Sequence, residues 1–236
     1  MKKLSMVLLT LFLVIGLSGT GNAALMGDLL NGTSITVGDK LFDNWAIEVL
    51  IDDAGTFDPT GIEVIGINDN PLNPGLSFLS NGAFYVEDGD WLDIEISFKV
   101  TVLNPSLFIN GVTLDFSGIM TILGDATWGS LAIGEDIATD ASLLSPFGGD
   151  VTSFDPWVEW DPGLGIQDYP DSANFNPLSE IWVRKDIFLI SYEGGTVDLI
   201  DFTQHFSQTP VPEPSTMLLL GFGLVALGGY VRRKRQ

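Results

Sequence analysis

The sequence predicts an all-β fold, an antiparallel β-sandwich with jelly-roll-like order, and three observations carry that expectation. Residues 92–102 alternate without error: Leu92, Ile94, Ile96, Phe98, Val100 and Val102 fall on one face, and Asp93, Glu95, Ser97, Lys99 and Thr101 on the other. That is the period-two pattern of a strand with one buried face and one wet face. Similar short runs recur along the chain, separated by Gly, Asn and Pro. No stretch of the body carries an apolar stripe of helical period. An immunoglobulin-like order comes second and a closed barrel is the remaining alternative. A transmembrane barrel is excluded, because no aromatic girdle repeats along the chain.

The elements are taken in chain order. Lys2-Lys3, an apolar run over residues 4–17 and the small residues of Gly21-Asn22-Ala23 read as a signal peptide over residues 1–23, cut after Ala23. A permanent N-terminal anchor fits less well, because the apolar run is short and ends in Gly, Ser and Thr. The ectodomain is expected over residues 24–206. Its strands are expected at 34–37, at 45–52 with Trp45, Ile47, Val49 and Ile51 on one face, and at 62–67, 76–86, 112–116 and 119–123. Residues 181–192 and 196–202 flank Glu193-Gly194-Gly195 and predict a hairpin. Residues 140–167, rich in Pro, Gly and Asp, are expected to be long loops. Residues 207–214 hold three prolines and predict an extended, exposed stem.

Charge and cysteine content narrow the chemistry. All the Asp and Glu residues except Glu213 lie in the body, where 30 acids against Lys40, Lys99, Arg184 and Lys185 leave a net charge of −26. Nucleic acid and anionic lipid are repelled by such a surface, whereas a divalent cation or a neutral polymer is not. The absence of cysteine rules out disulfides, thiolate metal sites and thiol catalysis. The one histidine, His205, is expected on the surface or on an edge strand. No nucleophile elbow and no phosphate loop is present, and a carboxylate pair for glycan hydrolysis cannot be singled out among 30 acids. The expectation is a protein that is not an enzyme and has no resident cofactor unless it is calcium.

Two binding constellations stand out. Oxygen-rich segments at Glu87-Asp88-Gly89-Asp90, at Asn68-Asp69-Asn70 and at Asp168, Asp171, Asn174 and Asn176 offer the oxygen ligands calcium takes, and solvated turns are the alternative. Trp157 and Trp160, bracketed by Asp155-Pro156 and Asp161-Pro162, could stack on sugar rings, and a core plug is the alternative.

The C-terminus reads as an address. Pro212-Glu213-Pro214 is followed by 17 uncharged residues, 215–231, at the lower limit of the about 17–25 that cross a bilayer. Arg232, Arg233, Lys234 and Arg235 come next and act as a basic stop-transfer tail held on the cytoplasmic side. A plain membrane anchor would share this topology without being removed. The arrangement resembles the PEP-CTERM sorting signal. That resemblance implies recognition of Pro212, Glu213 and Pro214 by an exosortase-type membrane transpeptidase in a Gram-negative bacterium that secretes exopolysaccharide. It implies an inner-membrane-anchored precursor and then a place at the cell surface or outside it. The body also resembles a recurrent ectodomain of PEP-CTERM proteins through Gly38-Asp39-Lys40-Leu41-Phe42, Lys185-Asp186-Ile187 and Thr203-Gln204-His205-Phe206-Ser207-Gln208. This implies secretion and no particular activity. The expected role is structural or adhesive in an exopolysaccharide matrix. A carbohydrate-binding module is the alternative, with a glycan hydrolase behind it.

Overall fold

The computed structural model describes residues 23–115, 120–123, 129–144, 150–151, 157–161, 165–167, 171–211, 221, 222 and 224. The chain begins with strand β1 (Ala23–Leu25), a one-turn helix α1 (Met26–Leu30), β2 (Ile35–Val37), β3 (Lys40–Asp52), β4 (Glu63–Ile67) and β5 (Gly75–Leu79). It continues through β6 (Tyr85–Glu87), β7 (Trp91–Val102), β8 (Leu107–Asp115), β9 (Met120–Leu123) and β10 (Gly129–Ala138). The remaining strands are β11 (Trp157–Asp161), β12 (Gly165–Gln167), β13 (Asp171–Leu178), β14 (Glu180–Ser191), β15 (Thr196–Leu199) and β16 (Asp201–Pro210).

These strands make an all-β sandwich of antiparallel sheets. A six-stranded sheet runs β1-β4-β5-β16-β8-β13 and a seven-stranded sheet runs β12-β11-β10-β14-β7-β3-β2, with β6-β15-β9 as a small third sheet. Within them β5-β16-β8-β13 stands against β7-β14-β10-β11, which is the strand order of a jelly roll. The alternation read from residues 92–102 holds: Leu92, Ile94, Ile96, Phe98 and Val100 are buried, and the opposite face of β7 is half-buried. Phe98 stacks on Trp45 at 4.5 Å and meets Phe78 at 6.3 Å and Phe206 at 6.5 Å. Phe78 in turn stacks on Phe202 at 4.6 Å. Rings from β3 and β7 of one sheet thus meet rings from β5 and β16 of the other. Each such ring removes a large apolar area from water and adds about 0.5–1.5 kcal/mol of ring–ring attraction.

Several expectations need correction. Residues 181–192 and 196–202 are strands, yet β14 pairs with β10 and β7 whereas β15 pairs with β6 and β9. The turn is tight, with Gly194 at φ +78 and Gly195 N–H donating to Tyr192 O, but it moves the chain between sheets instead of closing a hairpin. Residues 76–86 split into β5 and β6, also in different sheets. In β3 the register shifts between Asp43 and Ala46 and again between Val49 and Ile51. Trp45 stays buried while Val49 is 47% exposed, so the single face expected over 45–52 does not persist. Residues 140–167 include β11 and β12 as well as loop. The stem begins later than residue 207: β16 holds its ladder with β8 through Pro210, and Val211 N–H still donates to Ser106 O. His205 lies on β16 between β5 and β8, half-buried with Nδ1 3.1 Å from Asn73 O, so it is neither on an edge nor free on the surface.

The signal peptide, apart from Ala23, and most of the C-terminal segment lie outside the described residues. Cleavage after Ala23 would leave Ala24 and Leu25 in the edge strand β1, paired with Val64 and Glu63. Of residues 215–231, Gly221, Phe222 and Leu224 are described, and all three are helical and exposed. Among the described residues no helix is long and apolar enough to cross a membrane.

Phe98 joins both sheets, so Phe98→Ala should lower unfolding free energy by about 3–5 kcal/mol in chemical denaturation. Ser97→Ala, on the opposite face of the same strand, should change it by less than about 1 kcal/mol.

Candidate functional site

The outward face of the seven-stranded sheet gathers polar side chains into rows. Residues paired across antiparallel strands share a face, so the registers of β10, β14, β7 and β3 place Gly134, Asp186, Glu95 and Glu48 in one row. The neighbouring row holds Ala132, Phe188 and Asp93, and the row on the other side holds Asp136, Arg184, Ser97 and Ala46. The sequence produces this face by alternation. Each inward residue of β7 and β14 (Ile94, Ile96, Ile187, Leu189) forces a neighbour outward, and many of those neighbours are acids.

Beside Lys99, which pairs with Glu180 at 2.8 Å, the face carries the cation Arg184. It is buried, its Nε donates to Asp136 Oδ2 at 2.9 Å, a second guanidinium nitrogen touches the same oxygen, and Nη1 lies 3.4 Å from Glu95 Oε1. Burial pushes the Glu95 carboxyl above its ordinary range, and Arg184 opposes that shift. Asp93 is pushed up to about 6, first by burial and then by the charge of Asp186 and a hydrogen bond with it. A like charge beside a partly buried carboxyl adds to what burial begins. Beside them Trp91 is 42% exposed and stands edge-on to Phe188 at 6.1 Å. A flat, braced aromatic ring next to hydrogen-bonding carboxylates is the chemistry that holds a pyranose ring.

The residues singled out from the sequence fare differently. Trp157 and Trp160 lie on β11, whose register sets Trp157 opposite Gly134 and Trp160 opposite Leu131. Three residues apart, they hold register positions of opposite parity on the strand, and their side chains lie outside the described residues. Trp157 does extend the row of Gly134, Asp186, Glu95 and Glu48. The calcium expectation placed Asp168, Asp171, Asn174 and Asn176 in one loop. Asp168 lies outside the described residues, and the other three lie on strand β13, whose side chains alternate instead of converging. Among the described residues no cluster of three or more Asp, Glu or His could hold a metal ion. Asp88 and Gly89, at φ +54 and +94, form the tight turn from β6 to β7, and Gly89 N–H donates to Ser191 Oγ at 3.0 Å. Asn70 Oδ1 caps Leu72 N–H at 3.1 Å within its own turn. Pro212, Glu213, Pro214 and Arg232, Arg233, Lys234 and Arg235 lie outside the described residues.

Sequence reading misses Trp91, because the alternation is counted from Leu92. Counted one residue earlier, it places a tryptophan on the same face as Asp93 and Glu95.

Comparison with known proteins decides the nature of the segment beyond β16. Residues 210–235 match the PEP-CTERM protein-sorting motif. The motif thus begins on the last residue of the last strand, and it marks an exported protein sorted to the cell surface. No curated protein matches the chain. Among solved structures, the chain is similar to TmCBM61 in complex with β-1,4-galactotriose, at 11% identity over 71% of this chain and 89% of that one, with a TM-score of 0.28. It is also similar to endoglucanase 3 of Trichoderma harzianum, from family GH12, at 6% identity over 80% and 99% of the two chains, with a TM-score of 0.25. For the family 11 xylanase of Neocallimastix patriciarum the values are 8%, 74%, 94% and 0.23.

The raised Asp93 sets a pH dependence. Its proton is held in the folded state up to about pH 6 but is lost near 3.8 when unfolded. The stability it contributes is therefore complete below about pH 4 and lost as pH rises through 6. Because Asp93 is partly solvated, the change should be about 1 kcal/mol. Urea midpoints measured from pH 4 to 7 should fall across this window in the native protein, and the fall should be smaller in Asp93→Asn, which should also be the more stable protein at pH 7.

Proposed function

We propose that this exported protein is a non-catalytic, adhesive component of the cell envelope or exopolysaccharide matrix, holding glycan on the outward face of its seven-stranded sheet. The single observation that carries the reading is the exposed Trp91 ring, braced by Phe188 and flanked by Asp93, Asp186 and Glu95. The aromatic face supplies stacking area, and the carboxylates accept hydrogen bonds from sugar hydroxyls. With all four body cations paired internally, the exterior favours a neutral or cationic polymer over an anionic one. The reading takes the protein as a binder and not a hydrolase, because a stacking ring flanked by hydrogen-bond acceptors suffices to hold a glycan, whereas hydrolysis would need two carboxyls about 5–10 Å apart on opposite sides of a scissile bond.

Delivery rests on the motif. Pro212, Glu213 and Pro214 are read by an exosortase-type transpeptidase while the apolar segment 215–231 and the basic tail hold the precursor in the inner membrane. Because β16 ends at Pro210, few residues separate the folded sandwich from the tripeptide.

Two outcomes test these statements. Binding to the producer's own polysaccharide should weaken about tenfold in Trp91→Ala, equivalent to about 1.4 kcal/mol, and should also weaken in Trp157→Ala. Reducing ends should not accumulate during the assay. Unchanged binding in Trp91→Ala would remove the proposed face, and steady release of sugar abolished by Asp186→Asn would make the protein a hydrolase. For delivery, mass spectrometry of the surface protein from its host should show a C-terminus near Pro214, and Glu213→Ala should build up the full-length form in the membrane.

A further inference from the structure

Residues 38–42 and 203–208, two of the segments behind the ectodomain resemblance, lie far apart in sequence and meet at one end of the sandwich. Lys40 opens β3 and faces inward like Phe42, and Gln208 lies near the end of β16 beyond Phe206. The Phe42 and Phe206 rings, 5.5 Å apart, hold the two strands face to face. The Lys40 side chain is fully buried. Its Nζ touches Gln208 Oε1 and lies 2.8 Å from Asp39 Oδ1. The same Asp39 oxygen accepts from Gln208 Nε2 at 3.1 Å.

One carboxylate oxygen therefore contacts both an amine and the amide nitrogen of the carboxamide beside that amine. The carboxamide is held in place. Its Nε2 also donates to Pro71 O at 2.6 Å, and the Gln208 backbone N–H donates to Leu72 O at 3.0 Å. Asp39 is pinned through its own carbonyl, which accepts from Leu103 N–H at 2.7 Å. We propose that Lys40 and Gln208 join in an intramolecular isopeptide bond, with Asp39 as the group that moves the proton.

The reaction is an amide exchange and balances without any co-reactant. The Lys40 Nζ lone pair forms a bond to Gln208 Cδ, giving a tetrahedral centre. The proton released by Nζ passes through Asp39 Oδ1 to Nε2. The Cδ–Nε2 bond then breaks, ammonia leaves, and a secondary amide joins Nζ to Cδ. The attacking amine must be neutral, and burial lowers the proton affinity of Lys40 against the opposing pull of Asp39. Fixing both partners in the fold replaces an unfavourable encounter in water with an intramolecular step. The product also suits the site, since a buried amine whose charged form burial disfavours becomes a neutral amide.

The bond would close a span of 168 residues and tie one sheet to the other. It would do so on the strand that leads directly to the sorting stem, in a chain that has no cysteine to do the same work. The proposal is independent of glycan binding.

The test is peptide mapping of the full-length protein by mass spectrometry after denaturation and proteolysis. Lys40 and Gln208 should appear in one branched peptide, lighter than the two separate peptides together by one molecule of ammonia. Asp39→Asn and Lys40→Arg should each give two linear peptides. Linear peptides from the native protein, with a free Lys40 amine and an intact Gln208 amide, would overturn the proposal whatever the variants do. A branched peptide formed to the native extent in Asp39→Asn would overturn the role given to Asp39.

Discussion

The contact between β7 and β16 across one layer of aromatic rings is what the rest of this molecule depends on. Phe98 reaches Phe206 and Phe78 from one sheet, and Phe78 is stacked on Phe202 within the other. β7 and β16 are interior strands of their sheets, so the rings sit where water is most fully excluded. Both ends of the ectodomain are fastened to that layer. β3 brings in Trp45 and Phe42 from the N-terminal side, and β16 carries the chain from the ring layer to the start of the sorting motif at residue 210. A close approach is needed to place β16 there. Any Cβ on Gly75 would run into the Gln204 carbonyl, so β5 can pair with β16 only through a glycine at that point.

The placement of charge depends on the same closure. The body has four cations, and none stands alone in solvent. Lys40 meets Asp39, Lys185 meets Glu135, Arg184 meets Asp136 and Glu95, and Lys99 lies 2.8 Å from Glu180. Lys185 and Glu135 are both completely buried, and the lysine points toward the Phe202 ring with Nζ 5.6 Å from its centroid. Breaking such a pair leaves an uncompensated charge in the core, which costs more than the intact pair contributes. With three of the four cations buried and Lys99 paired near the surface, the solvent-facing charge is mostly carboxylate. Self-repulsion among those carboxylates shows at Asp93, whose carboxyl is pushed up first by burial and then by the charge of Asp186.

Much of this is legible in the sequence, and the failures have physical causes. The alternation over residues 92–102 identifies the central strand and its inward face, because a strand buried on one side must obey the period of the pleat. Strand existence is also legible at 34–37, 62–67 and 119–123. What alternation does not encode is the sheet a strand joins. Gly194 and the Asp88-Gly89 turn read as a reversal within one sheet and as a cation loop, whereas they carry the chain into and out of the small third sheet. Bulges in β3 are equally invisible, since an inserted residue changes the exposed face without changing composition. The candidate site is legible only in pieces. Trp157 lies in the row of Glu48, Glu95 and Asp186, but those acids do not stand out among 30, and Trp91 falls just outside the counted run. The buried lysine at 185 does leave a signal. It occupies an inward position in the series Ile181, Val183, Lys185, Ile187 and Leu189, where a charge implies an internal partner.

The central claim is that β16 is a core strand whose end is the start of the sorting signal. Backbone hydrogen exchange on the full-length protein tests this most directly, because exchange free energies separate core strands from frayed ends and stems. Amides of residues 202–208 should exchange as slowly as those of residues 94–100 in β7, and protection should fall off sharply after Val211. Rapid exchange throughout residues 202–208, with β7 still protected, would contradict the account.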